Sequence, residues 1–180
     1  DGQPERVFWT QHLKNITEMI GKPGTGGPLY EVDLRLRPDG AGGALVTRFD
    51  EFQDYFLGER SQLWEHQALV RSSAACGDAA LAAAVMQWID EHLGRHVEPQ
   101  QIALELGEMH ERRRQAGRRD GIDFRTGPGG LIDIEFLVQS LVLRHRKAHP
   151  EIRQPSTAEA IRVLAKSSLI DRDDALTLRT

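Results

Sequence analysis

The chain has 180 residues, 39% hydrophobic and 28% charged, the balance of one globular domain or of a small domain with a helical extension. A net charge of −4 argues against a general nucleic-acid binder, which needs a concentrated basic face; the basic run within 111–119 reads as a solvated helix end. A single cysteine, Cys76, excludes an internal disulfide framework, and histidines scattered without ligand spacing argue against zinc.

Cys76, between Ala75 and Gly77, reads as a small packing residue. No apolar run approaches the roughly 20 residues of a membrane span and no signal peptide is visible, so the expectation is a cytoplasmic protein with no membrane partner. The opening Asp1-Gly2-Gln3-Pro4 is turn-like rather than a natural start, which reads as the interior of a longer chain.

Over residues 5–20 the positions Val7, Phe8, Leu13, Ile16, Met19 and Ile20 make a helical stripe. The glycine- and proline-rich run 21–28 stops it and reads as a connector, because its lysine comes too early for a phosphate loop. Residues 29–37 then alternate strictly. Tyr30, Val32, Leu34 and Leu36 share one side, and Glu31, Asp33, Arg35 and Arg37 share the other, the pattern of a half-buried strand. Pro38-Asp39-Gly40 turns the chain and 44–47 reads as a second short strand, making a hairpin.

The rest is helical by pattern. Asp50 is placed to cap a helix whose core face runs from Phe52 through Tyr55, Phe56 and Leu63 to Gln67 and Val70. Further helices are expected over 78–93, over 99–116 with Pro99 in the first turn, over 131–149 up to Pro150, and over 156–167 with Ser156 as cap; a last one begins at Asp171. Residues 118–130 form a charged, glycine-containing loop. The expected fold class is therefore α+β and mostly helical, with a sheet remnant in residues 1–48 and a helical bundle in 49–180. A lone hairpin is marginal, so its strands are expected to belong to a larger sheet.

Three segments carry chemistry. The side holding Glu31, Asp33, Arg35 and Arg37 sets acids beside guanidinium groups, a combination that can hold metal ions and neutralise polyphosphate, or simply pair with itself in solvent. Asp133 and Glu135 begin the most apolar helix after Gly129-Gly130; carboxylates there need partners, for which Arg71, Arg125 and Arg144 are available, and they fit an ion pair as well as a site. Trp64-Glu65-His66-Gln67-Ala68-Leu69-Val70-Arg71 contains a histidine with no nucleophile near it in sequence, which reads as structural.

Taken together, Leu29-Tyr30-Glu31-Val32-Asp33-Leu34-Arg35-Leu36-Arg37-Pro38, the Trp64–Arg71 segment and Gly129-Gly130-Leu131-Ile132-Asp133-Ile134-Glu135-Phe136 closely resemble the glutamine synthetase adenylyltransferase family over about 27–178. The resemblance implies a polymerase-beta-like nucleotidyltransferase sheet followed by a helical bundle. It implies that Asp33 is a catalytic carboxylate and Mg²⁺ ligand, and that Arg35 and Arg37 lie by the ATP phosphates unless one of them braces the strand. Glu31, Glu65, Arg71, Asp133 and Glu135 would support the cleft. The family's other two metal carboxylates lie on a Gly-Ser-x-x-Asp-x-Asp strand that does not occur here, so the chain alone is expected not to transfer nucleotide.

The implied partners are ATP, glutamine synthetase and a PII-type nitrogen regulator. The wording of the first two segments is closer to the half that attaches AMP to a tyrosine than to the half that removes it by phosphorolysis. A non-catalytic helical docking module is the reading from a different class.

Overall fold

The computed structural model describes residues 3–22, 27, 30, 32–93, 99–116 and 123–178. Among them the chain forms eight α-helices and two short 3-10 turns, with no strand, in two compact units, Asp1–Ser61 and Gln62–Thr180. Glu31, parts of the 21–28 connector and of the basic run, and residues 118–122 of the charged loop lie outside the described residues.

In the first unit α1 (Gln3–Gly21) follows the expected helical stripe, but most of that stripe faces water: Val7, Phe8, Ile16 and Met19 are exposed and only Leu13 and Ile20 are half-buried, while Trp9, outside the stripe, is exposed as well. Arg6 of α1 pairs with Glu51 of α2 (Phe49–Leu57). Arg48, not Asp50, holds the N-cap position of α2, and Asp50 lies in its first turn. The single long helix expected from Asp50 to Val70 is two. Gly58 closes α2, its amide donating to Asp54 O at 3.0 Å while the chain turns extended, and α3 (Leu63–Leu69) restarts on its own capping box. Phe56 anchors α2 with its ring 4.7 Å from Phe52 and 5.3 Å from Tyr55.

The hairpin expected over 29–37 and 44–47 is not formed by the described residues, which run irregularly on either side of a 3-10 turn at Gly40–Gly42. Arg37 explains why. Its guanidinium takes the carbonyls of Leu34, Ala41 (3.1 Å) and Gly43 (3.2 Å), acceptors that a ladder would otherwise use. Its amide closes a tight turn onto Arg35 O at 3.0 Å. Asp39 sits in the left-handed region at φ 59°, and a β-carbon on Gly43 would lie 1.9 Å from Pro38 O, so the turn is shaped around a glycine.

The second unit is a bundle of α3, α4 (Ala79–His92), α5 (Pro99–Ala116), α6 (Leu131–His145), α7 (Thr157–Lys166) and α8 (Arg172–Thr177). α5 packs along α6, α3 leans on both, and α7 lies between α6 and α8. Val70, Ile89, Ile102, Val142 and Leu164 make the fully buried centre. Starts are fixed by side chains: Asp78 accepts from Leu81 N at 2.8 Å, Ser156 from Glu159 N at 3.5 Å and Asp171 from Asp173 N at 2.8 Å. α6 is shorter and less buried than its apolar sequence predicts, stopping at His145 with Leu131 and Leu137 exposed. Pro150 opens a separate 3-10 turn, Pro150–Ile152.

Two buried arginines lock the far end of this bundle. Arg146, just past α6, and Arg153 both reach Asp90 of α4, at 3.1 and 3.0 Å, and Arg153 also donates to Ser72 O at 2.7 Å. Burial pushes the Arg146 guanidinium below its ordinary value against the pull of Asp90. Cys76 is exposed rather than packed, because the turn it occupies lies between helices. No helix of the described residues is long and apolar enough to cross a membrane.

Candidate functional site

The expected site residues fall in both units. In the first, Asp33 is half-exposed and gripped by Arg35. The Arg35 amide donates to Oδ1 at 2.9 Å, and the guanidinium donates to Oδ1 at 2.9 Å through Nε and to Oδ2 at 2.6 Å through Nη2. Those hydrogen bonds hold the Asp33 carboxyl down at about 2, well below the usual carboxylate range. Asp33 is thus an anion at any physiological pH, and Arg35 lies against it on an exposed surface. Arg37 points the other way, into the carbonyls of its own turn.

The donor set does not by itself fit a Mg²⁺ centre. Both Asp33 oxygens are engaged by Arg35, and no group of three or more His, Cys, Asp or Glu residues suited to a metal ion occurs among the described residues.

In the second unit three polar pairs tie α6 to neighbouring segments, Glu135 and Gln139 on one side of the helix and Asp133 on another. His110 Nε2 of α5 lies 2.6 Å from Asp133 Oδ1, Arg71 Nη1 lies 2.6 Å from Glu135 Oε1, and Gln67 Nε2 donates to Gln139 Oε1 at 2.6 Å. Asp133 Oδ2 also accepts from Gly129 N at 2.8 Å, which ties the loop to the helix it precedes. That loop turns tightly: a β-carbon on Gly130 would lie 2.8 Å from the carbonyl oxygens of both Gly127 and Phe124. Glu65 is buried and serves α3, Oε2 accepting from Gln62 N at 2.8 Å, and His66 is buried beside it.

Sequence reasoning offered arginines to the α6 carboxylates. Arg71 takes Glu135, but the partner of Asp133 is His110, which was missed. The signal was present: His110 lies four residues beyond Leu106 and eight beyond Ile102, on the buried stripe of α5. A histidine continuing an apolar stripe needs a polar partner on the facing helix.

The glutamate-ammonia ligase adenylyltransferase family matches residues 3–88, and the GlnD PII-uridylyltransferase family matches residues 100–180. Two relatives, the bifunctional glutamine synthetase adenylyltransferase/adenylyl-removing enzymes of Xanthomonas campestris pv. campestris strains B100 and ATCC 33913, are each 40% identical over 148 residues, 80% of this chain. The chain spans 16% of the length of these relatives. With the Asp33–Arg35 segment, the buried Glu65 turn and the Asp133–Glu135 helix start carried on one sequence, the chain belongs to the glutamine synthetase adenylyltransferase family.

Proposed function

We propose that this chain is part of an enzyme that transfers AMP from ATP to a tyrosine of glutamine synthetase, and that Asp33 and Arg35 are its contribution to the transfer chemistry. The observation that carries the reading is the clamp on Asp33, an exposed carboxylate kept ionised by a guanidinium that itself lies exposed. Such a pair can exchange partners: the carboxylate can take a cation, and the released guanidinium can donate to two phosphate oxygens at once. Arg37 is excluded from that exchange by its three carbonyls and acts as a brace.

Mg²⁺, when bound, would polarise the phosphates and stabilise the attacking and leaving oxygens. Asp33 supplies at most one of its ligands, and the rest of the donor set has to come from beyond the described residues. In-line attack of a tyrosine hydroxyl on the α-phosphorus needs no enzyme nucleophile, and positioning with charge neutralisation supplies the rate. The Arg71–Glu135 and His110–Asp133 pairs hold the bundle helices in register. A PII-type regulator as a further partner is consistent with the second family match.

The test is transfer of label from α-labelled ATP to purified glutamine synthetase by a protein carrying this chain at the full length of its relatives, beside its Asp33→Asn and Arg35→Gln variants. Loss of at least about 100-fold in both is expected, the cost of removing a charge used in the transition state. Equal rates in parent and Asp33→Asn would overturn the assignment. Labelled phosphate entering ADP from AMP-modified glutamine synthetase, with no forward transfer, would assign the chain to the removing reaction instead. The 180-residue chain alone is expected to give no transfer.

A further inference from the structure

Between α5 and α6 runs a groove of about 380 Å³, floored by Leu106, Phe136, Leu137 and Leu141. His110 with Asp133 closes one end and Arg144 stands at the other. Asp133 and Arg144 are eleven helical residues apart, which sets the ends about 16 Å apart. We propose that this groove docks an acidic, leucine-bearing amphipathic segment of a partner protein, independently of the nucleotide-transfer reading.

Four observations carry it. The floor is apolar yet open to water, Leu137 being 44% exposed, which is the kind of surface that binding would bury. The span is three turns of helix, longer than a small carboxylate can bridge and matched to the i, i+3, i+7 anchors of a helical segment. Arg144 makes no ion pair or hydrogen bond among the described residues, and the exposed Lys147 lies one turn beyond it. Asp133, the acid at the far end, is occupied by His110 and Gly129 N and lies more than the roughly 8–10 Å screening length away, so it does not cancel the field of Arg144. An occupant is therefore selected for a carboxylate at the Arg144 end and apolar side chains along the floor.

The experiment uses a protein carrying this chain at the full length of its relatives and a fluorescein-labelled twelve-residue helical peptide, with leucines at i, i+3 and i+7 and glutamates at one end, read by fluorescence anisotropy. Binding by the 180-residue chain that the full-length protein lacks would overturn the proposal, because the groove would then be covered from within the same protein. A second peptide carries lysines in place of the glutamates. Saturable binding of the acidic peptide is expected. Arg144→Glu should weaken it about fivefold, the scale of one exposed ion pair. Leu137→Ser should weaken it about tenfold, from lost apolar burial. Arg144→Glu should also bind the lysine peptide better than the parent does, a rescue that a misfolded variant could not show. No saturable binding, equal binding of both peptides by the parent, or an affinity unmoved by Arg144→Glu would each overturn the proposal. So would sedimentation showing that the chain self-associates through this face, with Arg144→Glu releasing monomers, because the occupant would then be a second copy.

Discussion

Arg35 and Arg37 carry the same group two residues apart on one segment, and the local backbone gives them different work. Arg35 folds onto Asp33, whereas Arg37 is drawn into a turn by three carbonyls. The alternating pattern placed both on one side with Asp33, which is as far as periodicity reaches. Which arginine stays available was not legible, because it depends on the left-handed Asp39 and on a Gly43 that leaves room for the Pro38 carbonyl. The Asp33 clamp has a pH signature. Its carboxyl is held at about 2 against an ordinary 3.8, so the stabilisation it gives the folded segment is complete above about pH 4 and is lost as pH falls through about 2. A carboxyl-detected NMR titration should place the Asp33 midpoint near 2, and Arg35→Gln should return it towards 3.8. A midpoint near 3.8 in the parent would show that the clamp does not persist in solution.

Helix starts were the most legible elements, and helix interruptions the least. Asp78, Ser156 and Asp171 each announce a helix that begins where they stand, since the oxygen of a short side chain satisfies an amide the helix cannot. Replacing Asp78 by Ala should cost about 1 kcal/mol, seen as a lower urea midpoint with unchanged slope. The break between α2 and α3 was hidden because the apolar positions on its two sides stay in helical phase across it. Capping decided the matter instead: Glu65 returns to the Gln62 amide and starts a new helix, as Glu51 does at Arg48. The partner of Asp133 lay out of reach for a related reason. Pairing α5 with α6 is a tertiary choice, and only after it is made does His110 face a carboxylate.

At the scale of the bundle, a charged network ties α4, the end of α6 and the 150–153 turn together. One carboxylate, Asp90, serves two buried guanidinium groups, and Arg146 Nη1 and Arg153 Nε have no hydrogen-bond partner among the described residues. Removing the charge with Asp90→Asn should therefore cost about 1–2 kcal/mol, more than a fully exposed ion pair because the two guanidinium groups are buried while Asp90 itself is half-exposed, measured by urea unfolding followed through the buried Trp88. A loss under 1 kcal/mol would mean that water already reaches both arginines.

The outward face of α1 bears on how the chain behaves as a substance. A 19-residue helix that wets Phe8, Trp9, Ile16 and Met19 along one flank is a surfactant in shape. In dilute buffer the chain should gather at air–water and plastic surfaces, take up solvatochromic dyes without unfolding, and show red-edge emission from Trp9. Detergent below its micelle concentration should then act on it as a ligand acts, covering one flank and leaving the bundle intact.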